Sequence, residues 1–188
     1  EVYVDDYLVQ LPKGAYDKIE GYVQLNEARA GVEVTLEIHE IKIIKKIVTG
    51  QDGKATFSIS AKPKLWSPES PKLYDVIVKN GDEILKDKIG FRQIETKGKQ
   101  ILLNGKPVFL RGISIHEEAP YRQGRVYGKE ESVTLLSWAK ELGCNFVRLA
   151  HYPHNEFMVR AAEEMGLMVW SEIPVYWTID WTNPKTYA

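Results

Sequence analysis

The sequence has very little cysteine: Cys144 is the only one among 188 residues. An intrachain disulfide is therefore excluded, and the cysteine content fits a reducing or an oxidising compartment equally well. No run approaches the roughly 18 consecutive apolar residues that a membrane helix needs, so we expect no membrane segment. No signal peptide is visible, and the chain starts Glu1-Val2-Tyr3-Val4 without a methionine. We interpret it as a piece of a longer protein, with cytoplasmic and periplasmic or secreted locations both open.

An excess of one charge is also missing. The 25 basic and 26 acidic residues give a net charge of −1, and no block of like charges stands out. This balance predicts no electrostatic attraction to nucleic acid or to anionic lipid. The hydrophobic content of 44% is ordinary for a globular protein, and the length allows one large domain or two small ones.

Residues from about 19 to 94 show the period-two pattern of half-buried strands. Val34, Leu36 and Ile38 alternate with polar residues, and Asn80-Gly81 is typical of a hairpin turn. No helical pattern interrupts these strands, so they predict a small antiparallel sandwich. The two cysteines of an antibody-type domain are missing, and only the general architecture is predicted.

After residue 105 strand and helix patterns alternate. Predicted strands cover 108–115, 146–150 and 167–171, and Gly143 and Gly166 end two helices between them. The apolar faces of these helices are predicted to carry Leu135, Trp138, Ala139 and Leu142 in the first and Met158, Ala161, Ala162 and Met165 in the second. This alternation predicts a parallel sheet covered by helices, either an open doubly wound sheet or a (β/α)8 barrel. A G-x-G-x-x-G motif is missing, which disfavours a dinucleotide-binding fold.

Polar side chains follow all three predicted parallel strands. His116 ends the first strand, His151 and His154 follow the second, and Glu172 ends the third. Because ligands bind outside the carboxyl ends of parallel strands, these residues predict one site. Each histidine also has a purely structural interpretation, as a strand cap or a loop residue.

Arg148 interrupts the apolar run Phe146-Val147-Arg148-Leu149-Ala150. A guanidinium in a buried strand is costly unless it is paired, so it either forms an ion pair with Glu172 on the neighbouring strand or points at a ligand. These two hypotheses are compatible, since a paired arginine retains further donors.

A metal site is disfavoured, although histidine and glutamate are zinc ligand types. The first strand carries a single histidine, and the H-E-x-x-H motif is missing. Glu117-Glu118 is a poor catalytic couple, because adjacent residues at a strand exit diverge. Asn155-Glu156 resembles the acid/base position of sugar hydrolases, but helix capping by Asn155 explains it better.

Several ordered segments resemble one family, namely LWSPESPKLY (65–74), GFR (90–92), LLNGKPVFLRGISIHEE (102–118), GCNFVRLAHYPH (143–154) and GLMVWSEIP (166–174). The chain is similar to family 2 of the glycoside hydrolases, the β-galactosidases, β-glucuronidases and β-mannosidases. The resemblance implies an all-β immunoglobulin-like sandwich over 1–95, followed over 96–188 by about three βα units of a (β/α)8 TIM barrel.

The same resemblance implies roles for individual residues. His116, Arg148 and His151 would line the pocket for the terminal sugar, with Glu172 supporting them and Tyr176 and Trp177 suited to stacking on sugar faces. The family's acid/base and nucleophile glutamates would lie beyond Ala188, so the chain alone would be inactive. No cofactor is expected, and no magnesium site, because Pro174 to Trp177 replace the acidic and histidine ligands of some β-galactosidases.

The resemblance leaves three functions to compare. The first is a fragment of a retaining exo-β-glycosidase, with a β-galactoside as the preferred substrate and a β-glucuronidase or β-mannosidase as the alternative parent. The second is a non-enzymatic carbohydrate-binding or scaffolding sandwich, and the third a metal-dependent barrel hydrolase. A three-strand partial barrel would also have open edges, which predict either a homo-oligomer that pairs through them or a poorly ordered barrel region.

Overall fold

The computed structural model describes residues 1–175 and 179–186. The chain divides into two compact units, Glu1–Val108 and Phe109–Ala188. The domain boundary expected after residue 95 stays a prediction.

The first unit is built from strands, all within residues that the structure describes. They are β1 Val4–Gln10, β2 Lys18–Leu25, β3 Glu33–Ile38, β4 Ile43–Val48, β5 Lys54–Ser60, β6 Tyr74–Asn80, β7 Glu83–Ile89, β8 Ile94–Lys97, β9 Gln100–Leu103 and β10 Lys106–Pro107. They pair antiparallel in three sheets with the orders β1-β2-β5, β4-β3-β6-β7 and β10-β9-β8. A 3-10 turn at His39–Ile41 precedes β4.

Alternation along these strands produces a single hydrophobic core shared by the β1-β2-β5 and β4-β3-β6-β7 sheets. Val34, Leu36 and Ile38 of β3 are fully buried, as the period-two pattern predicts. They share one cluster with residues of β2, β5 and β6, namely Ile19, Val23, Ala55, Phe57, Val76 and Val78. The predicted hairpin at Asn80-Gly81 is confirmed, because it joins β6 to β7.

A junction around Trp66 brings together three of the segments that suggested the family. The Trp66 ring is fully buried, and the Arg92 guanidinium lies 4.5 Å from its centroid. Asn104 Nδ2 donates to the Trp66 carbonyl at 2.9 Å, and Asn104 Oδ1 accepts from the Gln93 N–H at 3.0 Å. Asn104 has a φ of 52°, a left-handed conformation that asparagine tolerates better than most residues. These residues fasten the β8-β9-β10 sheet to the loop before β6.

The second unit alternates strands and helices. Its elements are β11 Gly112–Ile115, α1 Lys129–Glu141, β12 Phe146–Leu149, α2 Glu156–Met165, β13 Met168–Ser171 and a 3-10 turn at Pro184–Thr186. The strands form a parallel sheet of order β11-β12-β13, in which Ser114, Arg148 and Trp170 share one register position. The parallel sheet predicted for this region is therefore present.

The two faces of this sheet have opposite characters. Val147 and Leu149 are fully buried against the two helices, in a cluster with Leu136, Ala139, Met158, Ala161 and Ala162. Successive side chains of a strand point to opposite faces, so Arg148 lies on the face away from the helices. Its neighbours Ser114 and Trp170 are exposed there. The apolar face fixes the strands, and the other face carries the polar groups.

The three helix ends that the sequence indicates are confirmed. Asn155 caps α2, since its side chain accepts from the Phe157 N–H at 3.0 Å. Gly143 and Gly166 follow the two helices with φ of 78° and 73°, left-handed values that favour glycine. The helices therefore begin and end where local chemistry predicts.

Two details of the predicted elements are wrong. The first parallel strand begins at Gly112 rather than at residue 108, because the Asn145 side chain bonds to the Arg111 N–H and the Phe109 carbonyl and occupies that backbone. Trp138 and Leu142 are 40% and 71% exposed rather than buried, and Leu136 occupies the core in their place.

The described helices include none that is both long and apolar enough to cross a lipid bilayer.

Gly112 sets the separation of β11 from β12, and we expect Gly112→Ala to destabilise the second unit. An added Cβ would lie 2.4 Å from Phe146 Cδ1 and 2.6 Å from the Phe146 carbonyl oxygen. Backbone cannot move as easily as a side-chain tip, so we expect a loss of about 1–3 kcal/mol in the free energy of unfolding. Urea denaturation monitored by tryptophan fluorescence measures it.

Ser114→Ala is the matched control, because it introduces the same residue at an exposed position of the same strand. We expect its unfolding midpoint to stay close to that of the wild type. Equal midpoints for the two variants would contradict the tight approach of the strands at Gly112.

Candidate functional site

The strand ends of the second unit meet around Glu172. Arg148 Nε donates to Glu172 Oε1 at 2.7 Å, and Arg148 Nη2 donates to Glu172 Oε2 at 3.1 Å. This two-bond geometry is the strong form of an arginine–carboxylate contact. The ion pair that the sequence suggested between neighbouring strands is therefore present.

Glu172 also holds the backbone of His151. Its Oε2 accepts from the His151 N–H at 2.6 Å, and the His151 Nδ1 lies 3.9 Å from the same oxygen. The bonds from Arg148 and then from the His151 N–H lower the pKa of Glu172, because each favours the charged carboxylate. The pairing raises the pKa of Arg148 in turn. Glu172 is thus a permanently charged acceptor at neutral pH.

His151 adopts an unusual backbone conformation. Its φ is 78°, in the left-handed region that residues with a Cβ rarely occupy. Such a conformation persists where surrounding contacts impose it, and the bond to Glu172 is one of them. The turn places the His151 ring 5.1 Å from the His116 ring, centroid to centroid. The sequence-predicted residues His116, Arg148, His151 and Glu172 therefore lie together.

These groups border an open cleft of about 680 Å³. Arg148, His151 and Glu172 line it together with the 57% exposed Trp170. His116 does not line the cleft, but its ring packs against the ring of His151, which does. The cleft therefore combines a paired cation, an imidazole and an aromatic face, which can donate hydrogen bonds to oxygen atoms and stack against an apolar surface.

His154, which the sequence grouped with His151, has a separate role. It is 9% exposed, and its Nε2 is 3.2 Å from the Ala150 carbonyl. Burial lowers the pKa of His154, which keeps its ring neutral. It is a core histidine beneath the loop, and it does not line the cleft.

Sequence reasoning missed Trp170 as a cleft residue. Trp170 pairs with Arg148 in the strand register and precedes Glu172 by two positions. Residues two apart share a face of a strand, so the period-two rule applied to Trp170 and Glu172 would have found it.

The two pairs of polar residues judged unsuited to catalysis are arranged as expected. Glu117 is 2% exposed and Glu118 is exposed, so the adjacent carboxylates diverge. Asn155 is occupied as the cap of α2, and Glu156 opens that helix. Tyr176 and Trp177, suggested for sugar stacking, lie outside the described residues. Within 1–175 and 179–186, no group of three or more His, Cys, Asp or Glu side chains could hold a metal ion.

Comparison with known families agrees with this architecture along almost the whole chain. Residues 2–92 match the model described as "Glycosyl hydrolases family 2", and residues 94–183 match "Glycosyl hydrolases family 2, TIM barrel domain". The chain belongs to glycoside hydrolase family 2.

The similar proteins are named as enzymes for different sugars. The chain is 35% identical over 150 residues to a putative β-glucuronidase of Formosa agariphila, covering 77% of the chain and 17% of the relative. It is 33% identical to a β-galactosidase of Streptococcus thermophilus, covering 92% of the chain and 18% of the relative. A family 2 β-galacturonidase structure from Eisenbergiella tayi, bound to galacturonate, is 31% identical with a TM-score of 0.72, covering 92% of the chain and 33% of that structure. The chain thus spans less than a fifth of the length of these two curated relatives.

The lowered pKa of Glu172 predicts an acid-sensitive second unit. The pair stabilises the fold fully above the ordinary glutamate value of 4.5, and this contribution is lost as the pH falls through the lowered pKa. Glu172→Gln removes the contribution at every pH. We expect the wild type to be the more stable at pH ~6 and the difference to shrink on acidification to pH ~3. Urea unfolding across that range measures it, and a difference independent of pH would contradict the assignment.

Proposed function

We propose that the chain forms part of a retaining β-glycosidase acting on terminal β-linked sugars, and that the second unit supplies one wall of its sugar pocket. In this proposal the first unit is an immunoglobulin-like sandwich, supported by two antiparallel sheets around one core. The second unit contributes about three βα units of a (β/α)8 barrel, supported by its parallel sheet and the matching family model.

The observation that carries the proposal is the cleft beside the Arg148–Glu172 pair. Glu172 occupies one edge of the guanidinium, and the Arg148 side chain is 37% exposed. Arg148 can therefore donate from its other edge to a sugar hydroxyl. Trp170 offers an exposed ring beside it, suited to the apolar face of a pyranose.

These residues bind and orient; they do not react. Glu172 is already committed to three donors, which makes it a poor nucleophile and a poor proton donor. Retaining chemistry needs two carboxyl groups about 5 Å apart across the glycosidic bond. We propose that a longer chain supplies both as glutamates from later barrel strands, as the family resemblance implies.

A neutral β-galactoside is the proposed sugar, with a β-glucuronide or β-mannoside as the alternative. The β-galactosidase relative, which aligns with 92% of the chain, supports this choice. The pairing of Arg148 supports it too, since Glu172 neutralises most of the positive charge that would attract a uronate.

Arg148→Ala tests the pocket directly. We expect the wild-type chain to bind methyl β-D-galactoside weakly, with a dissociation constant of about a millimolar or above, because one wall makes few contacts. The variant loses the central donor, so binding falls below detection. Chemical-shift perturbation in NMR titrations measures both, with methyl β-D-glucuronide titrated in parallel.

Arg160→Ala is the matched control, since Arg160 is exposed on α2 and its Nε lies 3.8 Å from Oε2 of Glu156, one turn earlier in the helix. Its sugar affinity should equal that of the wild type. Binding that survives Arg148→Ala would instead assign the sugar to the first unit, as in a carbohydrate-binding sandwich. Stronger binding of the glucuronide would replace the proposed sugar by a uronide.

A further inference from the structure

Glu117 is a buried acidic side chain that the proposed pocket does not use. Its side chain is 2% exposed, whereas its partner Arg125 is 64% exposed. Taking a carboxylate out of water costs several kcal/mol unless it is paired and hydrogen-bonded. An ion pair at the surface would leave both side chains in water. The burial of Glu117 therefore indicates a structural role, and its contacts show which segments it joins.

Glu117 joins two loops that are distant in sequence. Arg125 Nε donates to its Oε2 at 2.7 Å, which closes the loop between β11 and α1. Its Oε1 accepts a hydrogen bond from the Asn155 N–H, at the end of the loop between β12 and α2. One carboxylate therefore fastens the loop after β11 to the loop after β12.

The second of these loops carries a carboxylate bond at each end. Glu172 accepts from the His151 N–H, and Glu117 accepts from the Asn155 N–H four residues later. The loop contains the left-handed His151, a conformation that persists only where its surroundings over-determine it. Fixing both ends provides that constraint.

The same cluster connects the residues that directly follow the two histidines of the candidate site. Glu117 follows His116 and Tyr152 follows His151, and the Glu117 N–H donates to Tyr152 Oη at 3.3 Å. The Arg125 guanidinium lies 4.8 Å from the Tyr152 ring centroid, and that ring stacks on His154 at 5.0 Å. The two imidazoles, 5.1 Å apart, are thus positioned by one shared set of contacts.

We propose that Glu117 is a positioning residue of the sugar site, which fixes His116 and His151 relative to each other by pinning both loops. Its importance for sugar binding rests on the proposed function, but its effect on the two rings does not. Sugar affinity and the contact between the two imidazole rings are therefore measured in separate experiments.

Glu117→Gln is the informative variant, because it preserves shape and removes one acceptor. A glutamine has a single acceptor oxygen, so it can serve Asn155 or Arg125 but turns an N–H toward the other donor. We expect the nuclear Overhauser effect between the His116 and His151 ring protons to disappear or weaken several-fold. Affinity for methyl β-D-galactoside should fall about tenfold, by analogy with the loss that follows removal of a group that orients a metal-binding side chain.

Glu131→Gln is the matched control. Glu131 accepts from Arg122 Nε and Nη2, both at 2.7 Å, so it also pairs with an arginine of the loop before α1. Glu131 contacts Arg122 and the Tyr127 N–H, away from the loop that carries His151. We expect it to retain both the ring-to-ring signal and the wild-type sugar affinity.

Arg125→Gln provides a second route if Glu117→Gln does not fold, since its exposed side chain is the more tolerant site. It should weaken the same signal without unfolding the chain. Wild-type ring contacts in both variants, or an equal loss in Glu131→Gln, would overturn the proposal. A wild type that binds no sugar would remove the proposed function, while selective loss of the ring signal in Glu117→Gln would still support the positioning role.

Discussion

The second unit depends on the bonds that Arg148 and the His151 N–H make to Glu172. A guanidinium in the middle strand of a sheet is unfavourable without a partner, and the adjacent strand ends in the carboxylate that pairs with it. Because the same carboxylate accepts from the His151 N–H, one side chain fixes a strand contact and a loop conformation together. Removing it would leave the cation unpaired and release the left-handed turn, so sheet, loop and cleft would change as one.

The opposite face of the sheet explains why these bonds can be short and well directed. Val147 and Leu149 are fully buried against α1 and α2, and close packing there resists small displacements of β12. Arg148 lies between them in sequence and points the other way. A binding group on a packed strand is held more accurately than one on a loop. The histidines do lie on loops, and they therefore need the additional contacts of Glu172 and Glu117.

Sequence patterns predicted what depends on local chemistry. The alternation of apolar and polar residues identified β3. Asn155 and the two glycines identified the helix ends. The cation in an apolar strand identified the pairing of Arg148 with Glu172. The failures depend on tertiary contacts. Nothing in His-Tyr-Pro-His separates the cleft residue His151 from the core residue His154, because the left-handed turn at His151 and the burial of His154 are properties of the folded chain. The start of β11 depends on the Asn145 side chain, 33 positions after Gly112. The buried face of α1 depends on the rotation of the helix, which buries Leu136 and leaves Trp138 exposed.

In the proposed pocket this chain supplies a single wall, and such a wall fits relatives that are named after different sugars. Arg148, His151 and Trp170 offer hydrogen bonds and a ring, which any terminal pyranose can use. Strong discrimination arises where the wrong sugar leaves a buried polar group unpaired, and that requires the pocket to be closed on its other sides. The charge on this wall is already balanced, because Glu172 is paired with Arg148 and its pKa is lowered. A uronate would therefore need a cation elsewhere in the proposed pocket, whereas a neutral sugar needs none, and this is the physical reason for proposing a galactoside.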